Sequence, residues 1–322
     1  MSGDTRPVEG DVLNPAREAL LWAAQNRWLR QHLPRYRFVR ASVARFMPGE
    51  TVEEALEAAE RLVGDGVGAT LTNLGENVTD VEEADAVAER YLDLLGQIGA
   101  RGIDAEISVK PTHLGLELDV ARTLDHLRRL SARSADLGRH LWIDMESSEY
   151  VEATVDLAKR LRAEHTNTGV CIQAYLHRTP QDVADLLAID GSIRLVKGAY
   201  REPHELALQN RSAVGSAFRK LAVEALERPR GPDSRLALAT HDVDLLDQIE
   251  RDATARGLSR DAYEVQMLYG IRVADQRRLA REGYRVRVLI AYGTYWYPWF
   301  MRRLAEKPSN VWFALRNLLA RG

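Results

Sequence analysis

With one cysteine in 322 residues, several chemistries are excluded at once. Cys171 has no partner for an intramolecular disulfide, and CxxC metal or redox pairs cannot form. Excess positive charge is also missing. Lysine and arginine number 44 against 47 acidic residues, and the net charge of −3 argues against a nucleic-acid partner. Long hydrophobic runs are absent. The longest, such as Val288–Tyr292, are strand-sized, so no transmembrane segment is expected. The opening MSGDTRPVEGDV is acidic, lacks an apolar centre and does not read as a signal peptide. The eight histidines show no HExxH or similar spacing, and no metal site is expected. A GxSxG elbow and a Walker loop are likewise missing. Together these exclusions predict a soluble cytoplasmic protein.

What is present is alternation. Strand-like runs fall at Gly68–Leu74, Ile103–Lys110, Leu141–Met145 and Val170–Tyr175, then at Ser192–Lys197, Arg235–Thr240, Tyr263–Leu268 and Tyr284–Ile290. Amphipathic patterns with three- and four-residue spacing separate them, among them Val120–Leu137, Tyr150–Glu164, Ala213–Leu226 and Val243–Ala255. Glycines 102, 138, 257 and 283 follow helix ends, where a left-handed cap is wanted. Thr179-Pro180 reads as a helix N-cap with proline at the first helical position. Eight strand–helix units predict an α/β fold of the (β/α)₈ TIM-barrel type. A doubly wound sheet would need a glycine fingerprint after its first strand. Gly64, Gly66 and Gly68 precede that strand, so the barrel is preferred.

The expected division is an N-terminal helical arm over residues 1–66 and a catalytic barrel over 67–322 that ends in a C-terminal helix. The arm contains Pro15–His32, with Trp22 and Trp28, and a well-capped helix at Thr51–Val63.

Aromatic residues are only 7% of the chain, yet six of them lie between Tyr292 and Phe300, followed by Arg302, Arg303 and Glu306. Rings exclude water and guanidinium grips carboxylate, so this stretch suits a small, largely apolar carboxylate ligand. A solvated amphipathic helix explains it equally well when the segment is taken alone. Adjacent helical residues point about 100° apart, so the two arginines share one carboxylate only through their long side chains. Glu306 is spaced to orient one of them. Polar residues also gather where strands end, as an active site on this fold requires: Lys110, Asp144, Gln173, Thr240 and His241. Arg194 and Lys197 flank apolar Leu195-Val196 in a segment expected to be buried, and both need anionic partners from the protein or a ligand. Cys171 reads as a core residue.

Three stretches resemble the proline dehydrogenase family: RLVKGAYREP (Arg194–Pro203), YEVQMLYGIR (Tyr263–Arg272) and WYPWFMRRLAEKPSN (Trp296–Asn310). LTNLGEN (Leu71–Asn77), DAEISVKPTHLGLELD (Asp104–Asp119) and LWIDMESSEY (Leu141–Tyr150) match in their proper order. The resemblance spans about residues 40–315. It implies a distorted (β/α)₈ barrel that binds FAD non-covalently and oxidises L-proline, or a close cyclic imino acid, to Δ1-pyrroline-5-carboxylate. Electrons would pass to a membrane quinone, with the protein peripherally associated at the inner membrane face. It further implies that Lys110, Arg302 and Arg303 bind the substrate carboxylate, and that Asp144 and Arg194 are catalytic, Arg194 near flavin N5. Met145, Gln173, Lys197, Gly198, Ala199, Thr240 and His241 would contact FAD, Glu76 would pair with Arg302 to close the site, and Tyr200 and Leu268 would line it.

Two departures concern the substrate ring. Leu289 stands where the family carries tyrosine, with Ala291 in place of proline, and Trp299 replaces tyrosine before the arginine pair. The competing enzyme class is a Schiff-base aldolase or lyase using Lys110 or Lys197. A barrel that binds proline without turnover is the third reading.

Overall fold

Eight short strands alternate with helices along the chain, and in the computed structural model the strands close into a barrel. The structure describes residues 22, 26–32, 43–75, 77–228 and 230–306, without the side chains of Arg27, Arg30, Gln31, Arg302, Ala305 and Glu306. Two compact units separate. One is Arg45–Thr294; the other takes in the described residues up to Ala44 and from Tyr295 onward.

In the larger unit the strands are β1 (Gly68–Asn73), β2 (Ala105–Val109), β3 (Leu141–Ile143), β4 (Thr168–Gln173), β5 (Ser192–Val196), β6 (Leu236–Ala239), β7 (Glu264–Leu268) and β8 (Arg285–Tyr292). Each pairs in parallel with its sequence neighbour, and β8 closes on β1 from Gly68 opposite Arg287 to Asn73 opposite Tyr292. Helix α1 (Arg27–His32) belongs to the smaller unit. In the larger one come α2 (Val52–Gly64), α3 (Val81–Arg101), α4 (Val120–Asp136), α5 (Val151–Glu164), α6 (Thr179–Ala188), α7 (Arg211–Glu227), α8 (Val243–Ala255) and α9 (Val273–Arg281). The smaller unit ends in α10 (Trp296–Glu306). No helix among the described residues is long and apolar enough to cross a membrane.

Local chemistry explains the element ends. Thr51 caps α2 with a full capping box: Glu54 N donates to its hydroxyl, and the Glu54 carboxylate accepts from Thr51 N. Asp80, Asp119 and Asp242 cap α3, α4 and α8 through side-chain oxygens. The four glycines expected past helix ends all have positive φ, between 63° and 87°. Thr179 is not the cap that the sequence suggests. It lies inside the first turn of α6 after Arg178, and its hydroxyl donates to the Gln173 carbonyl at 2.5 Å instead. β3 stops at Ile143, so Met145 lies beyond the strand, whereas β8 runs on to Tyr292 because β1 pairs with it along six residues.

Side chains alternate across every strand. Ala69, Leu71, Ile107, Val109, Ile143, Val170, Ile193 and Leu195 face outward into the apolar layer shared with the helices. Helix α2 packs there against β1 and β8. A tyrosine hydroxyl enters this layer. β1 and β2 pair only as far as Leu71 opposite Ile107, and beyond that point the Tyr91 hydroxyl from α3 stands between them. It accepts from Asn73 N at 2.9 Å and donates to Ser108 O at 3.1 Å, and burial pushes its pKa up to about 12. The tyrosine thus replaces ladder bonds that the splayed strands cannot make.

Tyr91→Phe removes this bridge while keeping the ring. Two buried backbone groups lose a partner, so urea unfolding is expected to show a loss of about 1–3 kcal/mol. An unchanged midpoint would mean that β1 and β2 close over the gap.

Candidate active site

The inward-facing strand positions form two polar layers rather than the branched aliphatic filling usual for this fold. Nearer the amino ends of the strands lie Glu106 (β2), Trp142 (β3), Glu264 (β7) and Arg287 (β8), with Arg235 just before β6. Arg235 pairs with both Glu106 and Glu264, the latter at 2.6 Å, and Arg287 Nε lies 3.3 Å from Glu106. The Trp142 indole donates to Glu106 at 3.0 Å. Burial opposes the Arg235 charge, but Glu106 and Glu264 outweigh it and keep its pKa above the ordinary arginine value. Two cations and two anions therefore neutralise one another in the floor of the barrel.

His140 sits beside this floor, its ring 4.7 Å from that of Trp142 and only 5% exposed. Its Nε2 is buried without a hydrogen-bond partner. Burial, then Arg235, with smaller contributions from Arg194 and Arg162, hold its pKa well below the usual histidine value; Glu264 opposes them. The imidazole is neutral in the folded protein.

One step toward the carboxyl ends the layer changes character. Arg194 in β5 is 3% exposed, and its Nη1 donates to Asp144 Oδ1 at 3.0 Å and to Ser108 Oγ at 2.9 Å. The Ser108 hydroxyl donates to the same Asp144 oxygen at 2.7 Å. The guanidinium lies over the Trp142 ring, 4.6 Å from its centroid, while Arg235 approaches that ring at 5.5 Å. Arg194 Nε and Nη2 remain buried with no partner, as does Gln173 Oε1 in β4. A buried guanidinium with two unsatisfied donors is costly, so these atoms fit a polar ligand such as a cofactor better than a closed core. Lys110 continues the inward series Glu106, Ser108 and is buried.

The loops beyond the strands are tied together by carboxylates. Glu146 accepts from Thr112 N at 3.0 Å and Thr112 Oγ1 at 2.6 Å, and its carbonyl accepts from Gln173 Nε2 at 3.2 Å. Glu202 accepts from Ser148 N at 2.8 Å. Lys197 pairs with Asp242 at 2.6 Å, and Asp242 N donates to Thr240 Oγ1 at 3.2 Å. Next to Lys197, Gly198 has φ of 118°, and a Cβ there would lie 2.4 Å from the Tyr175 ring, so only glycine fits. His241 follows Thr240, and Ala199 and Tyr200 follow Gly198 in the loop after β5. Tyr200 O accepts from the Tyr175 hydroxyl at 3.4 Å. Leu268 and Leu289 are register partners on β7 and β8, both inward-facing and half-buried.

Thus Ser108, Asp144 and Arg194 meet directly, and the partners that Arg194 and Lys197 required are Asp144 and Asp242. Cys171 is the buried core residue expected, its thiol pushed up to about 12 by burial. On α10, the Arg303 guanidinium lies 6.0 Å from the Trp299 ring. Glu76 lies outside the described residues, as do the side chains of Arg302 and Glu306, so the expected gate and the orienting glutamate are not visible. Ser108, Glu106, Trp142, Arg235, Glu264 and Arg287 escaped the sequence reading. The signal was present: in AEISVK and RVRVLIAY, polar residues recur every second position in apolar strands.

The profile of the proline dehydrogenase family matches residues 55–316. Proline dehydrogenase 1 of Bacillus subtilis subsp. natto is 35% identical over 303 residues, covering 94% of this chain and 99% of its own. Proline dehydrogenase of Deinococcus radiodurans is 36% identical over 282 residues, 85% of this chain and 89% of its own. Among solved structures, proline utilization A from Bdellovibrio bacteriovorus, inactivated by N-propargylglycine, superimposes with a TM-score of 0.77 at 21% identity. That match covers 90% of this chain and 38% of the other, and it shares the barrel fold.

His140 gives the barrel floor a pH signature. Its pKa is depressed on folding, so the unfolded chain binds the extra proton; stability is complete above the unfolded value of about 6.5 and falls as pH drops below it. Denaturant titrations should show a slope approaching about 1.4 kcal/mol per pH unit in that window. His140→Leu should lose that contribution. An identical pH profile in the variant would show that another group carries it.

Proposed function

Because the chain belongs to the proline dehydrogenase family, an oxidoreductase acting on proline, we propose that it oxidises L-proline to Δ1-pyrroline-5-carboxylate with FAD as cofactor. This is the first step of proline catabolism toward glutamate. The observation that carries the reading is the Asp144–Arg194 pair, in which the buried Arg194 keeps two donors unclaimed.

Bound FAD supplies a hydride acceptor. The protein's own part is positioning, charge stabilisation and proton handling. Arg194 brings a fixed cation to a dry site, where negative charge gathering on the acceptor is stabilised far more than in water. Both protein bonds to Asp144 fall on Oδ1. Oδ2 is the atom that accepts the ring-nitrogen proton, and the neutral nitrogen then assists hydride departure. The family resemblance assigns Lys110, Arg302 and Arg303 to the substrate carboxylate and Glu76 to closing the site, and the spacing of Glu306 suits it to orienting one of the arginines. Within the barrel, Leu268, Leu289 and Tyr200 are the residues proposed to line the ring; the resemblance adds Trp299. Met145, Gln173, Lys197, Gly198, Ala199, Thr240 and His241 form the FAD cradle. The orphaned Gln173 oxygen supports that assignment. Electrons leave to a membrane quinone during transient docking at the inner membrane face.

The aldolase reading loses ground on one observation. Lys197 is held in an ion pair with Asp242, and a Schiff-base lysine needs a free amine. The purified protein tests both. Flavin bands that bleach anaerobically with L-proline are expected. A colourless protein trapped on a carbonyl compound by borohydride would replace this reading.

Leu289 sets ring selectivity. Inward-facing, half-buried and in register with Leu268, it offers no hydroxyl where the family carries tyrosine. A hydroxylated ring would bury its oxygen without a partner at a cost of about 1–3 kcal/mol. L-Proline should therefore exceed trans-4-hydroxy-L-proline by about tenfold or more in kcat/KM. Equal turnover of the two would refute the apolar pocket.

A further inference from the structure

Ser108 touches both members of the Asp144–Arg194 pair, and its hydrogen-bond polarity is fixed. Arginine only donates, so the hydroxyl oxygen accepts from Arg194 Nη1 at 2.9 Å and its single proton goes to Asp144 Oδ1 at 2.7 Å. The residue is 0% exposed, and no solvent competes. Nη1 also reaches Oδ1 at 3.0 Å, so three groups close a ring of hydrogen bonds on one carboxylate oxygen and one guanidinium nitrogen.

That geometry is not what a carboxylate and a guanidinium adopt by themselves. In a dry interior they pair through two parallel bonds, which would engage Oδ2 and a second guanidinium nitrogen. Here the pair is held by one nitrogen and one oxygen. Arg194 Nε and Nη2 stay without partners, and Trp142 beneath the guanidinium fixes its plane.

We infer that Ser108 is a positioning residue that keeps Asp144 and Arg194 from collapsing into a two-bond ion pair. By occupying Oδ1 and Nη1 together, its hydroxyl leaves Oδ2 for the substrate nitrogen and Nε and Nη2 for the bound cofactor. The inference rests on the reading of Asp144 and Arg194 as the catalytic pair. It has an unusual consequence: removing the hydroxyl allows a better salt bridge and a worse enzyme.

Ser108→Ala in the FAD-loaded enzyme tests this by two readouts. Single-turnover flavin reduction by L-proline should slow by about tenfold to a hundredfold, the loss falling on the reduction rate rather than on proline affinity. The thermal midpoint of the same variant should equal or exceed that of the parent. In an Asp144→Ala background the serine has no ion pair to hold open, and Ser108→Ala should change the reduction rate less than twofold. A Ser108→Ala enzyme within twofold of the parent overturns the inference. So does a loss of rate accompanied by a fall in thermal midpoint, which marks a packing role, or a loss that repeats in full in the Asp144→Ala background. A parent protein that is colourless and inert toward L-proline overturns the proposed reaction, and this inference with it.

Discussion

Charge buried inside a barrel has to be answered by charge buried in the same barrel. This constraint organises the interior. Glu106, Glu264, Arg235 and Arg287 come from four separate strands or their approaches, and none could be kept ionised alone at such low exposure. Removing one member would strand its partners at about 3–5 kcal/mol, so the four persist only as a set. Their closure also fixes strand register, because a one-residue slip on β2 or β8 would turn Glu106 or Arg287 outward. The floor therefore does for this barrel what layers of valine and isoleucine do in others, with directional contacts in place of volume.

Trp142 carries that rigidity upward. Its indole nitrogen is tied to Glu106, and the guanidiniums of Arg194 and Arg235 both lie over its ring. The electron-rich ring stabilises two cations that would otherwise repel, while its bulk fills the interior beside Gly169. A Cβ on that glycine would come within 2.6 Å of the indole. Arg194 thus stands on a support that is itself fully hydrogen-bonded, and its orientation does not depend on a flexible loop.

Much of this was legible in the sequence, and the parts that were not share a cause. Strand and helix periodicity placed all eight units, because each strand has one face against the helices and each helix one apolar stripe. Helix starts at Thr51 and stops at Gly102 and Gly257 were visible because capping is local chemistry. Thr179 misled because a Thr-Pro pair satisfies the same local rule, while a carbonyl six residues back claimed the hydroxyl. The Tyr91 wedge and the floor network could not be seen as pairs. Their partners lie on different strands and helices, 129 residues apart for Arg235 and Glu106 and farther still for Arg287 and Glu106. Only the alternation of polar residues within apolar strands hinted at them. Among candidate site residues, family motifs supplied the roles, and the structure supplied the contacts for Asp144, Gln173, Arg194 and Lys197.

The two polar layers differ in one respect that bears on reactivity. In the floor the principal charges meet opposite charge, and the resulting network resists both solvent and movement. In the layer above it, Arg194 carries donors that the protein leaves unused, and Asp144 is engaged through a single oxygen. A protein stabilised at every position would have no reason to keep such atoms apart from a partner. Their cost is borne because the floor below is charge-balanced: the barrel can tolerate unsatisfied polar atoms at one end when the other end supplies the stability. The polarity of a parallel barrel then decides which end is which. The carboxyl ends open into long loops able to admit a ligand, so the incomplete layer lies where its missing partners can arrive.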